Sequence, residues 1–222
     1  MIGRFITFEG GEGVGKSTQI RRLASRLRER GLDVTLTREP GGSARAEALR
    51  ETLLGGRAKQ FGTLAETFLV ASARADHVDR VIRPGIARGD IVLCDRFIDS
   101  TAAYQGALGG VDPATIRALE MVAAHDCRPD LTIVLDASAA SGLARARKRA
   151  GEGTAADRFE AEDGLFHEKL RDAFRAIAEA DPKRCALVDA EGAEEQVAER
   201  VWSLVELRFG FMDMKSVAGA AE

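Results

Sequence analysis

The segment Gly10-Gly11-Glu12-Gly13-Val14-Gly15-Lys16-Ser17 constrains the fold of this chain more than any other feature. It matches GxxxxGK[ST], which wraps nucleoside triphosphate phosphates when a strand precedes it and a helix follows it. Apolar residues 5–8 predict such a strand, and residues 16–30 predict a helix that ends at Gly31. Glycines bring backbone N–H groups close to phosphate, and the helix N-terminus favours an anion. The predicted triphosphate-binding residues are Gly10, Gly11, Glu12, Gly13, Val14, Gly15, Lys16, Ser17 and Thr18.

Two side chains of this phosphate loop carry chemistry, because Lys16 can reach the β- and γ-phosphates and the Ser17 hydroxyl can ligate Mg²⁺. The loop alone does not distinguish kinases, ATPases and regulatory GTPases. The chain contains no Asn and no Lys that follows Thr, so it lacks the NKxD or TKxD element with which GTPases usually read guanine. A small domain favours transfer of a phosphoryl group to a small acceptor.

The alternation of short apolar runs with longer amphipathic ones predicts a parallel sheet covered by helices on both faces. The expected architecture is α/β, a three-layer α/β/α P-loop kinase fold with a five-stranded parallel sheet and a mobile lid. The predicted strands are residues 5–8, 33–37, 91–94, 131–135 and 186–188, and the predicted helices are 16–30, 43–54, 62–82, 112–125, 138–149, 162–179 and 193–208. The helix at 62–82 is expected to close before Pro84. Residues 1–210 form one predicted domain and 211–222 a tail.

Composition limits the partners and the compartment. The 222 residues carry 32 basic and 35 acidic side chains, a net charge of −3, which does not suit a protein that coats nucleic acid. No apolar run approaches the ~20 residues of a membrane span, and no signal peptide is evident. Three scattered cysteines predict free, buried thiols. We therefore expect a cytoplasmic protein without membrane or nucleic-acid partners.

A second cluster of polar residues follows the strand at 91–94. Asp95 and Arg96 lie where ligands of open α/β sheets bind, so Asp95 can hold Mg²⁺ through water and Arg96 can clamp a phosphate. On a helix, Thr101, Tyr104 and Gln105 would share one face, where they could read a base edge and a sugar.

With these motifs in place, the chain resembles the bacterial thymidylate kinases over about residues 3–208. The resemblance rests on four segments, Phe8–Thr18, Thr37–Gly42, Asp95–Gly106 and Pro129–Asp136. Thr37-Arg38-Glu39-Pro40-Gly41-Gly42 and the Asp95–Gln105 segment separate this family from adenylate and guanylate kinases. The resemblance implies phosphorylation of dTMP to dTDP with ATP and Mg²⁺, and a homodimer formed through helices, for which the stretches 62–71 and 114–124 are candidates.

The resemblance also implies roles for individual residues. Arg50 and Arg96 would hold the dTMP phosphate, Arg74 would bind thymine, and Glu12 would contact the 3′-hydroxyl or the metal. The remaining residues implied to line the acceptor site are Glu39, Pro40, Ser100, Thr101, Tyr104 and Gln105. One position departs from the family, because Val70 replaces the usual Phe that stacks on thymine. Phe68, two residues earlier, is expected to lie in the core.

The Arg-rich segment at about 145–160 is predicted to form the mobile lid over the bound nucleotides. In the resembled family the catalytic Arg comes from the phosphate loop or from the lid, and because Gly13 occupies the loop position, Arg149 and Arg158 are the candidates. The predicted catalytic residues are Lys16, Asp95, Arg96, Arg149 and Arg158, and Ser17 and Asp95 are predicted to hold the metal. Two alternatives remain at this point: a kinase for another small nucleoside or nucleotide, and a nucleotide-binding regulatory protein without turnover.

Overall fold

The computed structural model describes residues 2–150 and 162–211, apart from the side chains of 148–150. Five parallel strands form one sheet in the order β2-β3-β1-β4-β5, which confirms the predicted fold class. The strands are β1 (Arg4–Glu9), β2 (Val34–Arg38), β3 (Ile91–Asp95), β4 (Leu131–Asp136) and β5 (Cys185–Asp189). Central β1, β3 and β4 are almost fully buried, as expected when helices cover both faces of a parallel sheet.

Helices connect the strands and cover the sheet. They are α1 (Lys16–Arg28), α2 (Ala44–Leu54), α3 (Gly62–His77), α4 (Arg83–Arg88), α5 (Ile98–Thr101), α6 (Pro113–Ala124), α7 (Ala139–Ala150), α8 (Gly164–Ala180) and α9 (Glu194–Phe209). Wider π turns follow α3 at Val78–Ile82 and α5 at Ala102–Leu108. No helix among the described ranges combines the length and apolar character needed to cross a bilayer.

The prediction that the helix at 62–82 closes before Pro84 was wrong. The π turn at Val78–Ile82 runs directly into α4, and Pro84 occupies the first turn of that helix. Proline has no N–H to donate, and the hydrogen-bond pattern changes from π to α directly before it, which is where helices accommodate such a residue. The expectation that Phe68 lies in the core was also wrong, since its residue surface is 50 % exposed.

The strand register brings the candidate site to one edge of the sheet. Asp95 lies beside Phe8 of β1 and beside Arg38 of β2, and the N–H of Glu39 continues the ladder to the Asp95 carbonyl at 2.9 Å. The carboxyl ends of three strands thus meet where the chain reverses its strand order, which is the usual ligand crevice of such sheets.

The hydrophobic core holds the edge in place from both faces. On one face α1 and α9 pack their apolar sides on the sheet, with Trp202 2 % exposed. On the other face Phe5 and Phe97 meet edge to face at 4.9 Å. Cys94, Cys127 and Cys185 are free and buried, as predicted. Phe211, at the start of the predicted tail, is buried, and residues 212–222 lie outside the described ranges.

Candidate active site

The phosphate loop joins β1 to α1 with its N–H groups left available. Gly15 adopts φ 97° before α1, and no side chain caps that helix. Lys16 is 8 % exposed and donates to the carbonyls of Gly10 at 3.0 Å and Gly11 at 2.7 Å. Burial and the positive charge of Arg96 lower the pKa of Lys16 below its ordinary value. The ammonium is therefore held inside the loop, where a phosphate oxygen would replace the carbonyl oxygens as acceptor.

Gly13 lies against α7 so closely that no side chain fits. A Cβ built on Gly13 would approach the carbonyl oxygen of Gly142 to 1.9 Å, and the residue has φ +68°. The approach is mutual, because a Cβ on Gly142 would meet the carbonyl oxygen of Glu12 at 2.3 Å. Glycine is thus required on both sides of this contact.

Ser17 and Asp95 meet as the sequence predicted for a metal site. The Ser17 hydroxyl donates to Oδ2 of Asp95 at 2.8 Å, which places a hydroxyl and a carboxylate oxygen side by side at the mouth of the loop. Mg²⁺ prefers such hard oxygen ligands and usually takes only one or two carboxylates, with waters and substrate phosphates completing its shell.

Arg96 is fixed at the centre of the crevice by unusual backbone geometry. It has φ 69°, a conformation that costs energy for a residue with a side chain. Its guanidinium donates to Glu12 at 2.5 Å, to the carbonyl of Gly10 at 3.2 Å and to Ser100 Oγ at 3.3 Å. Tyr104 donates to the same carboxylate oxygen of Glu12 at 2.7 Å. Burial alone would raise the pKa of Glu12, but the charges of Arg96 and Lys16 outweigh it and lower the pKa to about 2.

Glu9 supports this turn from beneath and was missed by the sequence analysis. It is fully buried, and Oε1 accepts the N–H of Phe97 at 2.7 Å and that of Ser100 at 3.3 Å, while Oε2 accepts the Ser100 hydroxyl at 2.6 Å. The side chain of Phe97, which precedes α5, does not cap that helix. The carboxylate of Glu9, at the end of β1, caps it instead. Burial and the negative charge of Asp99 raise the pKa of Glu9 to about 8.

Arg74 is held in a buried network on the opposite wall. It is 2 % exposed, and it donates through Nε to Glu39 at 2.8 Å and through Nη2 to the Phe97 carbonyl at 3.0 Å and to Thr101 Oγ1 at 2.9 Å. His77 Nδ1 lies 2.9 Å from the other oxygen of Glu39, so both oxygens of that carboxylate have a partner. Arg74 Nη1 has no hydrogen-bond partner in the described part of the chain and remains for a ligand.

All ten residues predicted to bind the acceptor line one pocket beside the phosphate loop. They are Glu12, Glu39, Pro40, Arg50, Arg74, Arg96, Ser100, Thr101, Tyr104 and Gln105. Arg50 donates to the Pro40 carbonyl at 2.6 Å, which ties α2 to the loop after β2. The predicted catalytic residues Arg149 and Arg158 lie outside the described part of the structure.

Five further residues line the pocket that sequence reasoning did not assign to it: Leu53, Leu54, Glu66, Val70 and Phe97. Val70 had been noted only as a departure from the family. A signal existed for Glu66, because Glu66, Val70 and Arg74 recur every four residues and therefore share one face of α3. The leucines of α2 gave no comparable signal, since their place beside α3 depends on tertiary packing.

Comparisons with known proteins identify the family of this chain. The family model of thymidylate kinase matches residues 8–201. A thymidylate kinase of Afipia carboxidovorans is 57 % identical over 206 residues, covering 93 % of this chain and 90 % of the relative. One of Nitrobacter winogradskyi is 54 % identical over 219 residues, covering 99 % and 95 %. The crystal structure of the Ehrlichia chaffeensis thymidylate kinase superposes with a TM-score of 0.71 at 32 % identity, covering 92 % of this chain and 98 % of that one.

Proposed function

This chain belongs to the thymidylate kinase family, and we propose that the residues gathered beside its phosphate loop bind dTMP and ATP for in-line phosphoryl transfer. The protein phosphorylates dTMP to dTDP with ATP as the donor. The observation that carries the site assignment is the convergence of ten predicted residues on one pocket that shares Glu12 with the loop. A kinase for another acceptor and a regulatory protein without turnover are not favoured.

The donor side of the site is the phosphate loop. Backbone N–H groups of the loop and the start of α1 bind the phosphates, and Lys16 orients the γ-phosphoryl group. Ser17 and Asp95, joined at 2.8 Å, would hold Mg²⁺. When bound, Mg²⁺ supplies charge neutralisation on the phosphate oxygens.

On the acceptor side, different residues bind the phosphate, the base and the sugar of dTMP. Arg50 and Arg96 bind the dTMP phosphate, because paired guanidinium groups match phosphate oxygens. Nη1 of Arg74 donates to the thymine carbonyl. Tyr104 leans over the sugar and leaves little room for a 2′-hydroxyl. No general base is required, because the attacking phosphate oxygen is already anionic near neutral pH.

An arginine of the lid supplies a further positive charge to the transferred phosphoryl group, beside Lys16. Positioned arginines stabilise charge on the transferred group and contribute about 10³–10⁵-fold to the rate in well-studied cases. Gly13 cannot supply one, because the carbonyl oxygen of Gly142 occupies the space of a side chain. Arg149 and Arg158, placed in the lid by the sequence, therefore take this role, and closure of the lid excludes water from ATP.

An exposed apolar face supports the homodimer. Its members lie at the start of α3 and on the neighbouring α6: Phe61 (67 % exposed), Leu64 (51 %), Phe68 (50 %), Met121 (72 %) and Val122 (79 %). Large apolar side chains grouped in this way usually mark an interface. A second copy of the chain would cover them, and the mass in solution measured by sedimentation tests this directly.

A binding experiment tests the allocation of the phosphate site. Arg50→Met should weaken dTMP binding by at least about tenfold, because it removes a charged donor to the phosphate, and should change thymidine binding by less than about twofold. Calorimetric titrations of both ligands, with Arg21→Met on the exposed surface of α1 as the matched control, measure the difference. Equal loss for both ligands would show that Arg50 does not bind phosphate.

A further inference from the structure

The side chains of the short helix α5 have two different environments. Ser100 and Thr101 line the acceptor pocket. Asp99, which does not line that pocket, is 4 % exposed and directs its carboxylate towards β4 and the turn before β5. One turn of helix therefore carries part of the acceptor site and also a contact with the far side of the sheet.

Arg184, in the turn before β5, binds both oxygens of the Asp99 carboxylate. Nη1 donates to Oδ2 at 2.7 Å, and Nη2 donates to Oδ1 at 2.8 Å. The guanidinium is itself held in place, because Nη1 also donates to the hydroxyl of the buried Thr132 at 2.8 Å and Nε donates to Asp181 at 3.0 Å. A planar guanidinium fixed in this way holds the carboxylate in one geometry.

The Asp99 carboxylate also acts on Glu9, the residue that caps α5. Burial is the main cause that raises the pKa of Glu9 to about 8, and the negative charge of Asp99 is the second. The Asp99 side chain is 5 % exposed and that of Arg184 is 14 % exposed, so water screens their charges little. The position and charge of Asp99 thus affect the turn before α5 both through the helix itself and through Glu9.

That turn contains Arg96, whose φ of 69° persists only where surrounding contacts hold it. Glu9 holds the turn from β1, and the contact with Arg184 holds the following helix from the other end of the sheet. We propose that Arg184 is a positioning residue for the acceptor: through Asp99 it holds α5 and thereby keeps the Arg96 guanidinium where it binds the dTMP phosphate. This inference rests on the proposed placement of dTMP in the pocket.

The variant Arg184→Met tests this role, because it removes the hydrogen-bond donors but keeps an apolar stem. We expect the KM for dTMP to rise at least about tenfold and the KM for ATP to stay within about threefold, because the phosphate loop keeps its own contacts. A role in stability alone would lower the folded fraction, and hence the apparent kcat, without changing either KM. Arg4→Met, which removes a contact of 3.3 Å with Asp130 at the amino end of β1, is the matched control and should leave both KM values unchanged.

Two further variants test whether Arg184 acts through Asp99. Arg184→Lys keeps a positive charge beside the buried carboxylate, but an ammonium group cannot bind both carboxylate oxygens in the planar arrangement, so the KM for dTMP should still rise at least about threefold. Asp99→Asn should also raise it. The double variant that combines Asp99→Asn with Arg184→Met should raise it no further than the larger of the two single effects.

The possible results separate this proposal from its premise. A wild-type KM for dTMP in Arg184→Met or in Arg184→Lys would overturn the positioning role, as would an equal rise in the KM for ATP. Additive effects in the double variant would overturn the route through Asp99. A wild-type protein that does not phosphorylate dTMP would contradict the proposed function itself.

Discussion

Replacing Gly13 by Ala tests whether the contact between the phosphate loop and α7 is as close as the structure has it. The new Cβ would lie 1.9 Å from the carbonyl oxygen of Gly142, whereas real Cβ atoms essentially never approach closer than 3.0 Å. The obstacle is backbone, so no rotamer change relieves it, and the loop or α7 must move by at least about 1 Å. A misplacement of about 1 Å can cost about a hundredfold in rate. We expect kcat/KM for ATP to fall by about that factor.

A matched variant separates this clash from backbone strain. Gly31 has a similar φ of +78°, but nothing lies within 4 Å of a Cβ built there, and it is far from the site. Gly31→Ala should lower the free energy of unfolding by about 1–2 kcal/mol through the strained conformation alone and leave kcat/KM for ATP unchanged. Steady-state kinetics and urea unfolding of both variants give the answer. Activity of Gly13→Ala within about threefold of wild type would refute the close contact.

Three further changes test other parts of the account. Arg149→Ala or Arg158→Ala should each lower kcat by at least about tenfold with dTMP binding little changed, and normal turnover in both would contradict the lid assignment. Val70→Phe should tighten dTMP binding about three- to tenfold by placing a ring on the base, as calorimetry would show, and weaker binding would mean that the pocket has no room for it. Because its folded-state pKa of about 8 lies above the ordinary carboxyl value, Glu9 stabilises the fold at low pH and loses that contribution as the pH rises towards 8. In Glu9→Gln, the free energy of unfolding measured in urea should therefore lack this part of the decline between about pH 5 and 8. A pH profile identical to that of the wild-type protein would exclude the contribution of Glu9.

Much of the fold and of the site could be predicted because the signals are local. Gly10–Ser17 specifies a strand–loop–helix unit, and the carboxyl ends of parallel strands must share one edge, so Asp95 was certain to lie near Ser17. The extension of the helix through Pro84 escaped prediction because it depends on a π turn that residue periodicity does not reveal. Phe68 was misplaced because a large apolar side chain at an exposed helix surface has no local signature.

Residues that hold other residues in place were the hardest to predict from the sequence. Glu9 and Glu66 bind partners 88 and 39 positions away, and a lone buried carboxylate has the same sequence appearance as an exposed one. Several of the ten residues proposed to bind the acceptor, such as Arg50 and Arg74, were predicted only through the family resemblance, which carries such long-range information indirectly. The cytoplasmic location, the homodimer and the lid arginines stay predictions.

The most direct test of the central claim is the product formed from ATP with each of four acceptor conditions: dTMP, dUMP, thymidine or none. Chromatographic measurement of ADP and of the phosphorylated acceptor should show one dTDP formed for each ADP with dTMP, and little ADP without an acceptor. Thymidine should be a poor acceptor, because we propose that Arg50 and Arg96, which line the pocket, bind a phosphate that it lacks. ADP formation at the same rate with and without dTMP would contradict the account.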